Sequence, residues 1–124
     1  MAAPNLRQPT TITGKTATHL LDSTSEKADL IVNAASSGKA LRITSLFVSN
    51  VDGTNNASIT IKHYPAASGG TGVPIVSTLT VPADSTVVVL NREQSIWMEE
   101  DTHLGFTASA ADDLSVIVAY EEVS

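Results

Sequence analysis

Short segments rich in β-branched residues dominate the chain, and Gly, Pro, Asn and Asp clusters separate them. The clearest segments are KALRITSLFVSN, NASITIKHY, STVVVLN and LSVIVAYEEV. Alternation of apolar and polar residues with a period of two is typical of a strand with one buried face. No stretch of normal helical length shows the period of an amphipathic helix. The sequence therefore predicts an all-β, antiparallel β-sandwich of eight or nine strands, jelly-roll-like, with an immunoglobulin-like sandwich as the alternative.

One long segment, KALRITSLFVSN, changes its alternation midway. Leu41 and Ile43 share one parity, whereas Leu46 and Val48 share the other. A one-residue β-bulge near Ser45 would turn both pairs toward the same core, because one extra residue shifts every later side chain to the opposite face. The sequence thus predicts a bulge in this strand.

Four further patterns give local predictions. The loop Asn50–Asn56 is rich in residues that tolerate left-handed backbone, which favours a hairpin into the next strand. The apolar run Val87–Leu90 suggests a strand buried on both sides. The glycine-rich stretch Ala66–Val73 is expected to project as a loop. In the last strand, alternate residues form one apolar face: Leu114, Val116, Val118 and Tyr120.

The N-terminal residues differ from the rest of the chain. Residues 1–15 contain two prolines and few large apolar groups, and no acidic residue precedes Asp22. We therefore predict an extended N-terminal arm over residues 1–15 and a β-sandwich domain over residues 16–124. The residues of the arm expected to bind a partner are Arg7, Gln8, Thr10, Ile12 and Lys15.

Composition limits the classes of function. The 124 residues suit a single domain, and the absence of cysteine removes disulfides and thiolate metal sites. The net charge of −6 is uneven: residues 1–62 hold six Lys or Arg against four acids, and residues 63–124 hold one against nine. Such an acidic surface repels phosphate groups and therefore disfavours nucleic-acid binding. The acids either keep the domain soluble or receive the basic arm of another copy.

No membrane or export signal is expected. The chain has no run of about 20 apolar residues, and its N-terminus lacks the apolar core of a signal peptide. We therefore expect a protein made in a cytoplasm, without membrane contact.

Candidate catalytic and metal-binding residues are few. His63 and His103 would form a metal site if they met near Glu99 or Asp101, but their spacing matches no motif. No nucleophile elbow surrounds any serine. The acidic turns could bind calcium, although solvated turn charges that also protect sheet edges explain them better. We expect no enzymatic activity, no cofactor and no metal. Trp97 and Tyr64 lie in strand patterns, where packing in the core is the default expectation, and a carbohydrate-stacking platform is the alternative for either.

Several stretches together resemble small tailed-bacteriophage virion proteins of the kind found in marine phages and phages of cyanobacteria. They are PNLRQPTTITGKTA, GKALRITSLFVSNVDGTNNASITIKHY, VPADSTVVVLN and SIWMEEDTHLGFTASAADDLSVIVAYEEVS. The resemblance implies a structural protein of the virion, present in many copies and made in the host cytoplasm. Its implied partners are itself, as a homo-oligomer, and other virion proteins such as the major capsid protein.

Two roles in the particle follow from this resemblance. The first is a capsid decoration or cement protein that binds neighbouring capsid subunits. The second is a tail-tip, baseplate or fibre-associated module that binds a host receptor or glycan. Because the resemblance rests on strand and turn motifs, it supplies no catalytic residue.

Overall fold

The computed structural model describes residues 4–124, which fold into two antiparallel sheets. The strands are β1 (Ile12–Leu20), β2 (Lys27–Asn33), β3 (Ala40–Asn50), β4 (Ala57–Tyr64), β5 (Val73–Val81), β6 (Thr86–Leu90), β7 (Ile96–Met98), β8 (Thr102–Ala108) and β9 (Leu114–Val123). Within residues 4–124 the only helical element is a 3₁₀ turn at Arg92–Gln94, which is far too short and polar to cross a membrane.

The strand order is that of a jelly roll. Sheet A has the order β1-β9-β3-β6, with β7 also paired to β3, and sheet B has the order β2-β8-β4-β5. The pairs β1–β9, β2–β8, β3–β6 and β4–β5 are those of one long hairpin that has been folded over into two layers. This topology confirms the predicted fold class and excludes the immunoglobulin-like alternative.

Alternating side chains from both sheets fill the space between them. Ile59 and Ile61 of β4 face Leu46 and Val48 of β3 across this core, and Phe106 is its largest fully buried side chain. Burial of each such side chain stabilises the fold by about 1.5–3 kcal/mol relative to exposure. Alternation in β9 is as predicted, because Leu114, Val116 and Val118 are fully buried and Tyr120 packs against the core.

The predicted bulge in β3 is confirmed. The register between β3 and β9 shifts between Ile43 and Ser45, so Thr44 has no partner in the ladder. Its hydroxyl instead donates a hydrogen bond to the carbonyl oxygen of Ala119 at 3.0 Å. As a result, the apolar residues on both sides of the bulge are buried together: Leu41, Ile43, Leu46 and Val48.

The hairpin predicted at Asn50–Asn56 is wrong. β3 lies in sheet A and β4 in sheet B, so this loop crosses from one layer to the other. Asn50 explains the difference, because its side chain is buried and its amide donates to the carbonyls of Asn55 and Val81, each at 2.9 Å. The composition of the loop indicates a turn, but it does not show whether the next strand lies in the same sheet.

The double-sided burial predicted for Val87–Leu90 is also wrong. These residues form β6, which lies at the edge of sheet A. Val87 and Val89 pack against the core, whereas Val88 is 60% exposed. A two-layer fold has no third layer to cover the outer face of this strand.

The predicted arm is shorter than expected. Residues 1–3 lie outside the described residues, and Ile12–Lys15 belong to β1, where they pair with β9 of the same chain. The prediction that Ile12 and Lys15 lie in a free arm is therefore wrong, and the extended segment ends at Thr11. Alternation over the few residues before Leu21 is too short to show where the strand begins.

Candidate binding surfaces

The N-terminal segment, defined as residues 4–11, lies outside both sheets. A turn links the backbone N–H of Gln8 to the carbonyl of Asn5 at 3.1 Å, and the N–H groups of Thr10 and Thr11 donate to the carbonyl of Ser124. The side chains predicted to bind a partner are exposed here: Arg7, Gln8 and Thr10. Arg7 forms no salt bridge to any residue within 4–124. The segment is thus anchored at its C-terminal end and presents an unneutralised cation.

The other two predicted partner residues stand in β1 and serve different roles. Ile12 is 58% exposed at the start of the strand. The Lys15 ammonium lies 3.0 Å from the Glu122 carboxylate of β9, which also pairs with Lys39 at 3.2 Å. The hydrogen bond from Lys15, together with that from Lys39, holds the pKa of Glu122 below its ordinary value, and Glu122 in turn raises the pKa of Lys15. Lys15 is therefore engaged within its own chain.

An open depression of about 350 Å³ lies beside the turn between β7 and β8. Trp97 is 42% exposed at this site, and the Arg42 guanidinium lies 5.9 Å from the centre of its ring. One carboxylate oxygen of Glu100, Oε1, is buried without a hydrogen-bond partner among the described residues. The residues that line the depression combine an aromatic ring with several acids: His63, Pro65, Trp97, Glu99, Glu100, Asp101 and Thr102.

Asp101 has a structural role in this turn. It adopts a left-handed backbone with φ of 62°, which Asp tolerates better than most residues. Its carboxylate accepts a hydrogen bond from the backbone N–H of Ala67 at 2.8 Å. The beginning of the glycine-rich loop after β4 is therefore hydrogen-bonded to the β7–β8 turn. Residues 68–71, farther along this loop, are exposed.

Tyr64 is held by neighbours on three sides. Its ring stacks on the His103 ring, with centroids 4.3 Å apart, and its hydroxyl donates to the Glu26 carboxylate at 2.7 Å. This hydrogen bond raises the pKa of Tyr64. A Cβ at Gly105 would lie 2.9 Å from the Tyr64 ring, and one at Gly72 would lie 2.7 Å from it. Both glycines are thus needed for this close approach, and Tyr64 is not a free platform for a sugar.

The two histidines occupy different environments. His63 lines the depression around Trp97, whereas the Nδ1–H of buried His103 donates to the carbonyl of Ala66. Within residues 4–124, no three His, Cys, Asp or Glu side chains are grouped so that they could hold a metal ion. The geometry does not assemble the two-histidine site considered from the sequence.

Sequence reasoning missed the contact of Glu26 with Tyr64 and the stacking of Tyr64 on His103. These residues come from separate parts of the chain, and β4 and β8 become neighbours only in the folded sheet. Gly105 was the available signal, because a glycine within a strand often marks a close approach.

Comparison with known proteins shows the fold and not a family. No protein-family model and no curated protein matches the sequence. Among solved structures, the chain is similar to a protein of Bacillus endospore appendages, described as a novel family of disulfide-linked pili. The match has a TM-score of 0.54 and 15% sequence identity, and it covers 100% of this chain and 96% of the other. At this identity the likeness shows a shared β-sandwich architecture.

Proposed function

We propose that the chain is a non-enzymatic structural protein of a tailed-bacteriophage particle that decorates or cements the capsid. In this role it binds copies of itself and the major capsid protein. The proposal draws on the resemblance of its sequence motifs to small virion proteins, and its physical support comes from surfaces suited to protein contacts.

The N-terminal segment is the observation that carries the proposal. Residues 4–11 lie outside the sheets, and Arg7, Gln8 and Thr10 are exposed on it. An extended polar segment gains backbone hydrogen bonds and buries its side chains when it lies across a partner. Because the body of the domain does not use these groups, they are free to bind another subunit.

Charge favours an acidic partner surface for this segment. Arg7 has no carboxylate partner within residues 4–124, and the second half of the chain carries nine acids against Arg92 alone. Opposite charges steer and orient association more than they add to affinity. Contacts between the basic segment and acidic protein surfaces are therefore the expected mode of binding.

The structural similarity to a pilus protein agrees with assembly of many copies of this chain. The linkage between the copies must differ from that of the pili, however. The Bacillus protein belongs to pili that are described as disulfide-linked, whereas this chain has no cysteine. Any assembly that this chain forms must therefore be held without disulfide bonds at its own side chains.

The test is rebinding to phage particles that lack the protein, prepared from a phage in which its gene is disrupted. Wild-type protein is expected to bind these particles. Arg7→Glu should weaken binding about tenfold or more, since about 1.4 kcal/mol corresponds to a factor of ten. Arg92→Glu changes the charge equally at another exposed site and should bind like the wild type.

Each outcome addresses a separate part of the proposal. Failure of the wild-type protein to bind, together with its absence from purified particles, would refute the virion role. Normal binding by Arg7→Glu would refute the role of the N-terminal segment as a tether while leaving the virion role intact.

A second candidate function is binding of a host glycan, and the exposed Trp97 favours it. Sugars stack on aromatic rings, and neighbouring carboxylates accept hydrogen bonds from sugar hydroxyls. The depression beside Trp97 offers both, with Glu99 and Asp101 in its lining. This arrangement fits the tail-tip, baseplate or fibre role considered from the sequence.

Binding to host cell-envelope glycans tests this candidate. Wild-type protein should bind and Trp97→Ala should not, because the substitution removes the ring. Val88→Ala removes an exposed apolar side chain on β6 instead and serves as the control. Equal glycan binding by the Trp97 variant, or none by the wild type, would eliminate the glycan-binding candidate.

A further inference from the structure

The outer edge of β1 lacks the protection seen at the other sheet edges. Nine consecutive residues of β1 pair with β9 without any register shift, and no strand within residues 4–124 pairs with the opposite side of β1. Proteins commonly protect such edges with prolines, bulges, charges or short strands. β1 contains no proline, and Lys15 is its only Lys, Arg, Asp or Glu.

Each of the other edges is protected. β5 contains Pro74 and two register shifts, and Thr78 within it has a left-handed backbone with φ of 51°. β2 has a register shift and presents both Lys27 and Asp29. The remaining edge of sheet A is divided between β6, of five residues, and β7, of three. β1 is therefore the edge best suited to accept another strand.

The hydrogen bonds to β9 determine which backbone groups of β1 are free. Thr11 and Ser124 exchange both of their backbone hydrogen bonds, at 3.2 and 2.9 Å, and Leu21 donates to Leu114 at 2.8 Å. Because bonded and non-bonded pairs alternate in an antiparallel ladder, the odd-numbered residues of β1 bond to β9. The residues whose N–H and C=O groups point to the free edge are Ile12, Gly14, Thr16, Thr18 and Leu20.

This free edge is complementary to itself. When two copies of β1 lie antiparallel about Thr16, all nine residues are paired, and Ile12 of one copy faces Leu20 of the other. Ile12 is 58% and Leu20 42% exposed, so each would cover the other. Gly14 faces Thr18, and every facing pair with free backbone groups can exchange two hydrogen bonds.

Charge does not oppose this pairing. Lys15 faces Ala17 of the second copy, and its ammonium is already neutralised by Glu122 of its own chain. No carboxylate lies on β1, so the two strands meet without facing like charges. The shared edge is thus electrostatically compatible with a second copy.

We propose that two copies of the chain pair through β1, antiparallel and with Thr16 on the two-fold axis, so that their sheets A become one continuous sheet. The interface is isologous, as in most closed dimers. This inference deepens the proposed function, on which it rests, because it names the surface through which copies of the protein associate.

Cross-linking at Thr16 tests the register directly, because the natural chain contains no cysteine. In the Thr16→Cys variant, the two cysteines face each other with Cα atoms about 5.5 Å apart, within the range that a disulfide spans. Under mild oxidation this variant should form a covalent dimer. Thr18→Cys is the matched control, since its two copies would lie about 14 Å apart along the strands at about 3.4 Å per residue.

Charge substitution at the same position provides a second test. Thr16→Lys and Thr16→Glu should each be monomeric in analytical ultracentrifugation, because two like charges meet on the axis. An equimolar mixture should form a one-to-one heterodimer. The same substitutions at Thr86, an exposed residue on the opposite edge of sheet A, should leave the wild-type dimer intact. Circular dichroism confirms that each variant is folded.

The outcomes separate this inference from the function on which it rests. A wild-type protein that stays monomeric at the highest concentration reached in the centrifuge, yet still binds phage particles, would overturn the dimer and leave the virion role standing. Dimers that persist in both charge variants would overturn the β1 register, as would cross-linking of the Thr18→Cys variant without cross-linking of the Thr16→Cys variant. Failure of the wild-type protein to bind particles, together with its absence from purified particles, would refute the virion role irrespective of dimer formation.

Discussion

Glu122 shows how single side chains fix the position of the first strand. It receives Lys15 from β1 and Lys39 from the chain just before β3, so one carboxylate joins segments on both sides of β9. Adjacent residues of a strand point to opposite faces, so the neighbouring Glu121 does not share these partners. Glu121 lies instead within 4.0 Å of Arg42. The partners themselves were beyond prediction, because their contact depends on the pairing of distant strands.

The ion pairs of Glu122 make stability depend on pH. Its folded-state pKa is lowered from the ordinary value of 4.5, so its contribution is present above that pH and is lost as the pH falls through the lowered value. Glu122→Gln should reduce the free energy of unfolding by at most about 1 kcal/mol near neutral pH, since solvent screens the pairs. Urea denaturation at about pH 7 and about pH 3 measures the difference, which should be smaller at the lower pH.

A matched variant separates this effect from a general change of charge. Glu93 is exposed and forms no salt bridge within residues 4–124, so Glu93→Gln should leave stability unchanged at both pH values. If Glu122→Gln lowers the free energy of unfolding by the same amount at both pH values, the ion pairs are not the cause of the loss.

At the scale of single elements, sequence patterns predicted which face of a strand is buried better than they predicted which strands and layers lie beside it. The change of parity in β3 revealed the bulge, because Leu41 and Leu46 must both reach the core. The same patterns gave the wrong environment for β6, since a valine run does not show whether an outer layer exists. The composition of the loop after Asn50 likewise indicated a hairpin turn, but the loop connects a strand of sheet A to a strand of sheet B. Pairing depends on the whole fold, which a local pattern does not contain.

The bulge at Thr44 predicts which single deletion in β3 the core tolerates. Removing Thr44 gives strict alternation, in which the buried apolar residues on both sides of the bulge share one parity and still face the core: Leu41, Ile43, Leu46 and Val48. Removing Phe47 instead leaves the bulge in place and turns Val48 away from the core, and exposure of such a side chain costs about 1.5–3 kcal/mol. In thermal denaturation monitored by circular dichroism, we expect the Thr44 deletion to melt near the wild-type temperature and the Phe47 deletion to be strongly destabilised.

Deletion of Ser68 is the control for loss of one residue. Ser68 is exposed in the loop between β4 and β5, where a shorter connection changes no strand register. This variant should melt close to the wild-type temperature. A Thr44 deletion that is far less stable than the Ser68 deletion would contradict this account and mean that the bulge itself is required for core packing.

For the whole molecule, uneven charge is the property with the widest consequence. Residues 1–62 carry a net +2 and residues 63–124 a net −8, so contacts between the two parts of different copies are attractive. The candidate sites illustrate what sequence alone supplies: exposure of Arg7 followed from local composition, whereas the partial exposure of Trp97 and the free edge of β1 required the fold. The engaged state of Tyr64 also required the fold.

Salt concentration should distinguish particle binding through Arg7 from dimer formation through β1. Binding to particles through Arg7 should weaken as salt rises from about 0.01 M to about 1 M, because the screening length falls from about 30 Å to about 3 Å. Pairing through β1 relies on backbone hydrogen bonds and apolar contact, so the dimer should persist over this range. Sedimentation and particle rebinding at each salt concentration measure both, and equal sensitivity would contradict this separation.

The winding of the jelly roll also determines when the protein can fold. β9 lies between β1 and β3 in sheet A, and β8 lies between β2 and β4 in sheet B, so each layer is completed by a strand that is synthesised late. A nascent chain that has not yet released Leu114 from the ribosome holds its early strands without the neighbour that joins them. The two sheets can therefore be completed only after β9 has left the ribosome, at the slow rate typical of long-range strand pairing. Chains truncated before β9 lack the strand that positions β1, and with it the edge on which the proposed dimer is built.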